Sequence, residues 1–370
     1  MRVRLAVATL LSVSFFSVIA PAGAIERPFL DAEPGYRYAF PRDHGSHDRF
    51  RTEWWYYTGH LRTADGREFG FELTFFRRAM TPRVQTPRSR WAVGQLYLAH
   101  AAISDIQAGR FLYAEKVSRA ALGKAGAETG GLHVWIDRWQ ARVDGDHGAH
   151  RLTADADGFT LALQLTPHAP PVIHGHDGIS RKGQTHGQAS HYYSLTRLET
   201  SGTITVADRT FEVSGVSWMD HEFGSGDLGE RQVGWDWFSV QLDGGGELMI
   251  YLLRHEDGTF DPASSGTLIH ADGRRQALSR EEVRVSAAES WVSLRSGARY
   301  PSQWRIEIPG EALTLDLAPQ LADQELVTTR STRVTYWEGT VAAEGRWRDR
   351  PVAGRGYVEL TGYAKRFDAR

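Results

Sequence analysis

Trp218-Met219-Asp220-His221-Glu222 puts an aromatic ring, two carboxyls and an imidazole side by side, at the end of a β-prone run that starts at Val213. A strand sends alternate side chains to opposite faces, so Trp218 and Asp220 share one face while Met219 and His221 share the other. A carboxylic acid enclosed beside aromatic rings loses the water that stabilises its charged form, and its proton affinity rises. Such an acid, still protonated near neutral pH, can serve as a general acid beside aromatic faces. Asp220 is the first choice of proton donor, with His221 or Glu222 to orient water. Two plainer readings compete: Asp220 as a salt-bridge partner of Arg77 or Arg254, and the whole group as a polar strand end.

The walls of such a site would come from aromatic pairs two residues apart, Trp54 with Tyr56 and Trp235 with Trp237, each pair on one strand face. As core packing these rings need no function. Asp236, between the two Trp but on the other face, is the second-choice acid. Glu53 opens its aromatic run and can pair with Arg77. Tyr192 and Tyr193 alternate, so at most one lines a cavity. With Trp218 and Arg254, these residues make up the candidate ligand-binding set. His174-x-His176 with Asp177, in a Gly/Pro loop, and His221 with its acidic neighbours are metal-capable, but neither has a third ligand fixed in sequence. The loop reads as solvated, no metal site is assigned and no cofactor is expected. There is no G-x-S-x-G around Ser190, His191 or Ser217, and no P-loop or dinucleotide fingerprint.

The elements that must position these residues are strands. Trp54 to Leu61 and Phe69 to Arg77 flank an Asp65-Gly66 turn, and Trp91 to Ile103, Phe111 to Val117, Leu132 to Val143 and Phe159 to Leu165 follow as further strands. Residues 25–51, with Pro28, Pro34 and Pro41, read as an extended arm. Only Arg119 to Lys124 suggests a short helical period. The second half repeats the first. Trp54-x-Tyr56-Tyr57 matches Trp235-x-Trp237-Phe238, each followed by an Asp-Gly turn and a strand ending in Arg (Arg77, Arg254). Tyr192-Tyr193 matches Tyr336-Trp337. Val213-x-Gly215-x-x-Trp218-x-Asp220 matches Val352-x-Gly354-x-x-Tyr357-x-Glu359. Antiparallel strands with short turns close most economically as barrels, which leave no exposed edge and, at about eight strands, can hold one small ligand. A pair of β-sandwiches is the alternative. The division expected is an N-terminal unit over residues 25–223 and a C-terminal unit over 224–370.

Among 370 residues the net charge is -2, which gives no electrostatic reason to expect nucleic acid or an anionic membrane as partner. There is no Cys, which excludes thiol nucleophiles, disulfides and iron–sulfur clusters. Arg2 and Arg4 precede an apolar run from Leu5 to Ala20, and Ala22-x-Ala24 follows. Residues 1–24 thus read as a signal peptide cleaved near Ala24, making the protein periplasmic or secreted, with no membrane span in the mature chain.

Glu53-Trp54-Trp55-Tyr56, Tyr192-Tyr193-Ser194, Trp218 to Glu222, Gly234 to Phe238, Tyr336-Trp337-Glu338-Gly339 and Gly356 to Tyr363 together resemble the hydroxyneurosporene synthase (carotenoid 1,2-hydratase) and AttH-like family. The resemblance covers nearly the whole mature chain, and its signal peptide is similar to the family's secreted branch, many of whose members are labelled only as hydrolases. It implies an all-β fold of two tandem lipocalin-like (calycin) antiparallel β-barrels from an internal duplication. It implies a cofactor-independent hydro-lyase, more than a hydrolase, adding water to a double bond of an isoprenoid-like molecule. The alternative is a non-catalytic periplasmic binding or carrier protein for a lipophilic small molecule, serving a transporter or other membrane-associated partner.

Overall fold

Alternating apolar and polar residues, rich in β-branched and aromatic types, run through most of the chain and leave a helix no period to follow. The structure, a computed structural model, describes residues 29–82, 93–144, 148–176 and 178–367. The expected signal peptide, Trp91 and Asp177 lie outside the described residues. Helix among the described residues is confined to 3-10 turns at Arg42–His44, Arg280–Glu282 and Pro309–Glu311.

The first sheet takes β1 (Thr52–Arg62), β2 (Glu68–Ala79), β3 (Gln95–Asp105), β4 (Arg110–Arg119), β5 (Ala125–Ala127), β6 (His133–Ile136), β7 (Trp139–Asp144), β8 (Ala149–Ala156), β9 (Phe159–Pro167), β10 (Val172–Ile173), β11 (Ser180–Arg181), β12 (Ala189–Val206) and β13 (Arg209–Gly224). The second takes β14 (Gln232–Leu242), β15 (Glu247–His255), β16 (Ser265–Ile269), β17 (Arg275–Ser279), β18 (Arg284–Val292), β19 (Arg299–Ile308), β20 (Leu313–Pro319), β21 (Glu325–Val327), β22 (Thr335–Trp347) and β23 (Arg350–Leu360). The first runs β4-β3-β2-β1-β13-β12-β9-β8-β7-β6-β5, with β10 and β11 paired to β12. The second runs β17-β16-β15-β14-β23-β22-β20-β19-β18, with β21 paired to β22. The two orders correspond strand for strand, with β5 and β6 as an extension of the first. Asp220 lies opposite Tyr56, and Glu359 opposite Trp237, as the internal repeat requires. The fold is therefore all-β, two curled antiparallel sheets of the lipocalin-like kind, each a barrel or half-barrel.

Each sheet closes on its own core. Trp55, Tyr57, Phe71 and Phe75 fill the first, and Phe238, Val240, Ile250 and Trp304 the second. Both interiors are packed with large side chains among the described residues. A third cluster, including Tyr56, Tyr192, Trp218, Trp237, Tyr251 and Tyr357, lies between the sheets. Gly70 on β2 permits that contact, since a Cβ there would sit 3.0 Å from both Thr340 and the Tyr357 hydroxyl.

Three local expectations need correction. Residues 132–143 are not one strand, because Asp137 turns back with φ of 54° and makes β6 and β7 a hairpin. Residues 120–124 form a turn, where Leu122 takes φ of 57° and is exposed. The arm before β1 is not merely extended. Its 3-10 turn tucks Asp43 into the first sheet's interior, where the carboxyl accepts from Tyr36 Oη and the Ala39 N–H.

Candidate active site

Strand alternation sorts the candidate residues. On β1 and β13, Trp55, Met219 and His221 point into the first core, while Tyr56 and Trp218 join the cluster between the sheets. Register then places Ser194, Asp220, Tyr56 and Thr74 in one row across β12, β13, β1 and β2. The matching row across β22, β23, β14 and β15 is Glu338, Glu359, Trp237 and Tyr251. Contacts join the rows: Tyr56 Oη donates to Glu338 Oε1 at 2.7 Å, and Trp237 Nε1 donates to Tyr192 Oη at 3.1 Å.

Asp220 is buried and faces no cation directly. Tyr192 Oη donates to its Oδ2 at 2.6 Å, and Trp218 Nε1 to its Oδ1 at 2.6 Å; Ser194 Oγ donates to Oδ1 as well. Burial pushes its pKa up to about 7, against the pull of the three donors, and the nearby Glu222 charge adds to the rise. The donors also locate the proton. When Ser194 gives its one hydrogen to Oδ1, His174 Nε2, 2.6 Å from Ser194 Oγ, carries an N–H, and its Nδ1 accepts from Thr267 Oγ1 at 2.8 Å. Burial, with Lys182 and Arg275 nearby, lowers the His174 pKa to about 3, so its ring stays neutral. Oδ1 thus takes two donors and Oδ2 only one. In that arrangement the vacant lone-pair direction is on Oδ2, which is where the acid's own proton fits.

More carboxyls surround this one. Glu222 accepts from Ser190 Oγ and pairs with Lys182 Nζ at 3.0 Å, and that ammonium lies 3.9 Å from the centroid of Tyr251. Glu359 accepts from Trp235 Nε1 at 2.8 Å, and burial raises its pKa to about 7. Burial lifts Glu72 to about 8 and, with repulsion from Glu359 and Glu72, holds Glu338 well above the carboxylate range. Among the described residues, Glu72 Oε2 and Glu338 Oε2 are buried without a hydrogen-bond partner. Clefts of about 180 Å³ and 250 Å³ open along the same interface around His60 and Arg355, but neither is lined by Asp220, Glu222, Glu338 or Glu359.

The other candidates fall elsewhere. His221, on the opposite face of β13, stacks on Trp55 in the first core and cannot orient water for Asp220. Glu53, Arg77 and Tyr193 lie in that same interior, not on a ligand face. Arg77 Nε donates to Glu53 Oε2 at 2.9 Å, which removes Arg77 as a partner for Asp220. Asp236 lies in the second sheet, 3.0 Å from Arg254 Nη1, with Tyr363 Oη donating to it. Burial raises its pKa to about 6 and Arg254 opposes the rise. It is a paired structural acid, and Arg254 is not free to meet Asp220. Trp54 and Trp235 border the cluster between the sheets and are half-buried. His174 is not in a solvated loop but buried against Thr267 of the other sheet. Sequence reasoning missed Ser194, Lys182, Glu72 and the role of Glu338. The repeat could have found Glu338, because the match of Tyr192-Tyr193 to Tyr336-Trp337 continues to Ser194 and Glu338.

A family model described as AttH-like matches residues 31–363. An AttH-type protein of Nitrosomonas europaea is 37% identical with a TM-score of 0.82, over 90% of this chain and 99% of that one. Kievitone hydratase from Nectria haematococca is 15% identical with a TM-score of 0.69, and CghA, solved with Sch210972, is 15% identical with a TM-score of 0.55. Each match covers 92% of this chain and 98% of the other. A search of curated proteins finds no match. The chain belongs to the AttH-like family.

Proposed function

We propose that this protein is a cofactor-independent hydratase that adds water to an electron-rich double bond of a lipophilic, isoprenoid-like molecule, with Asp220 as proton donor. One observation carries the reading. Asp220 is enclosed between the sheets, neutral up to about pH 7, with its Oδ1 saturated and its Oδ2 left to present the proton. Trp218, Trp237 and Tyr56 supply the faces against which a tertiary cation develops. Glu222, on the same face and paired with Lys182, is the carboxylate that takes a proton from the attacking water. Kievitone hydratase is a hydratase by name, and at 15% identity it lends this chain a fold; the acid supplies the chemistry. Residues 1–24 direct the protein out of the cytoplasm in this reading, where it meets its substrate in the periplasm or outside the cell. A carrier with no chemistry would use the same walls but gives no reason for the ordered donors around Asp220.

The test uses lycopene and a prenylated phenol as probes, incubated with the protein in ¹⁸O-water and followed by mass spectrometry. The reading expects one labelled water added to a terminal prenyl group of a probe. Recovery of both probes unchanged, with the protein folded and the probes bound, would leave only the carrier.

A further inference from the structure

On the face of β13 turned away from Asp220, three ligating atoms converge. His47 Nδ1 lies 2.7 Å from Glu53 Oε1, and His221 Nε2 lies 2.8 Å from the same oxygen. The three atoms are all within 4.8 Å of one another. We propose that His47, Glu53 and His221 bind one divalent transition-metal ion of the zinc type, which fastens the arm before β1 to the first sheet.

The count of hydrogens motivates this. Tyr193 Oη touches the Asp43 carbonyl oxygen at 3.0 Å, His44 Nδ1 at 2.7 Å and His221 Nδ1 at 3.0 Å. The hydroxyl has one hydrogen, and the carbonyl can only accept. Satisfying all three contacts makes both Nδ1 atoms donors, so His221 carries its hydrogen on Nδ1. His47 has a carboxylate oxygen at each ring nitrogen, Glu53 Oε1 at 2.7 Å from Nδ1 and Asp43 Oδ1 at 3.3 Å from Nε2, and the Nε2–H tautomer, with its hydrogen on Asp43, is the one that frees Nδ1 to ligate. The neutral rings then turn bare lone pairs, His47 Nδ1 and His221 Nε2, toward a carboxylate oxygen. Lone pairs at that separation need a cation between them. Two extra ring protons would serve, and so would one dication, which replaces them charge for charge.

The surroundings are those of a metal site. Each ligand's second polar atom is already held: His47 by Asp43, His221 by Tyr193, and Glu53 Oε2 by Arg77 Nε at 2.9 Å and the His47 N–H at 2.9 Å. Phe223 stacks on His47 at 3.5 Å, and Trp55 on His221 at 4.9 Å, which fixes both rings. Zinc bonds of about 2.0–2.1 Å at tetrahedral angles put ligand atoms about 3.3 Å apart. The cluster therefore has to widen by roughly half an ångström. Two imidazoles and one carboxylate are a borderline-to-hard donor set, and the two imidazoles suit zinc or cobalt better than calcium or magnesium. The second sheet supplies a control from the same chain. At the register positions of Glu53 and His221 it has Gly234 and Leu360, and its Arg254, without that Glu, turns to Asp236. The triad belongs to one copy alone, and it does not touch the acids between the sheets.

The experiment is titration of the untagged, chelator-treated protein with Co²⁺ and then Zn²⁺, read by visible absorption, metal analysis and thermal melting. We expect about one metal per chain, a cobalt d–d band that zinc abolishes, and a Tm that rises with zinc and falls back with chelator. His47→Gln, which keeps a hydrogen-bonding side chain, should lower zinc affinity at least 100-fold, and Tyr193→Phe about 10- to 100-fold. His186→Gln, on an exposed residue, should change nothing. Sub-stoichiometric binding, or wild-type affinity in a folded His47→Gln, would overturn the site. So would ¹⁵N shifts showing His47 as an imidazolium that zinc leaves unchanged.

Discussion

Asp220 and Glu359 occupy the same register position in the two sheets, opposite Tyr56 and Trp237, and their surroundings have diverged. Asp220 receives three donors, from Tyr192, Trp218 and Ser194, and the last is anchored through His174 to Thr267 of the other sheet. Glu359 receives one, from Trp235, and its neighbour at the Ser194 position is another acid, Glu338. Burial lifts both acids to about 7. In the proposed reading, equal proton affinity does not make equal proton donors. A proton that several fixed groups confine to one oxygen is aimed, and one held by a single contact is not. The two sheets hold two such acids, and in the proposed reading only Asp220 has the set of donors that orients it.

The sharpest break in that comparison is a pair of isosteric swaps. Asp220→Asn should lower the rate of water addition by about 10³-fold or more, since the amide has no proton of sufficient acidity to give. Glu359→Gln should stay within about threefold of wild type. Activity per folded molecule, with folding checked by circular dichroism, decides it. Next comes pH. Asp220 gives its proton only when neutral, so kcat should fall tenfold per unit above about pH 7, and an acid limb would belong to the base that accepts the water's proton. Ser194→Ala removes a donor that favours the ionised form and should move the Asp220 midpoint upward. Glu222→Gln removes a repelling charge and should move the Asp220 midpoint downward, and it should also slow turnover because it removes the base.

A smaller effect tests the aiming itself. His174→Leu frees Ser194 to accept the acid's proton on Oδ1, and the rate should fall about tenfold, the worth of one buried hydrogen bond. His174→Gln can donate to Ser194 and accept from Thr267, and should restore most of it. The smallest effect is on stability. Glu72 has a folded pKa of about 8 against 4.5 for an unperturbed Glu, so the folded state keeps a proton that the unfolded state releases. Stability then falls as pH rises through that window. Glu72→Gln should leave Tm unchanged near pH 4 and raise it near pH 9, corresponding to about 1–3 kcal/mol.

Periodicity made the fold legible. Two-residue alternation and the ordered repeat foretold both sheets and the pairing of Asp220 with Glu359. Alternation also placed His221 on the face opposite Asp220, although the chemistry of the two suggested a joint role. What stayed hidden depends on contacts between distant segments. His174 is brought to Ser194 by the short pairing of β10 with β12, and then to Thr267 by packing of one sheet on the other. Nothing at Pro170–Gly178 announces this, because a buried His and a solvated one have the same neighbours in sequence. Glu53 and His221 are separated by 168 positions, and His47 sits in an arm whose prolines suggested an extended strap. Where a ligand would sit was hidden for a related reason. Alternation says which face of a strand is apolar, but large side chains such as Trp55 and Phe75 decide whether the enclosed space is filled.

The account stands on Asp220 holding its proton until the pH nears 7, and infrared spectroscopy of the protein carrying ¹³C-labelled aspartate reads that directly. The difference between wild type and Asp220→Asn should show a protonated carboxyl band at pH 6 that titrates away with a midpoint near 7. A difference spectrum showing only ionised carboxylate from pH 5 upward would contradict it.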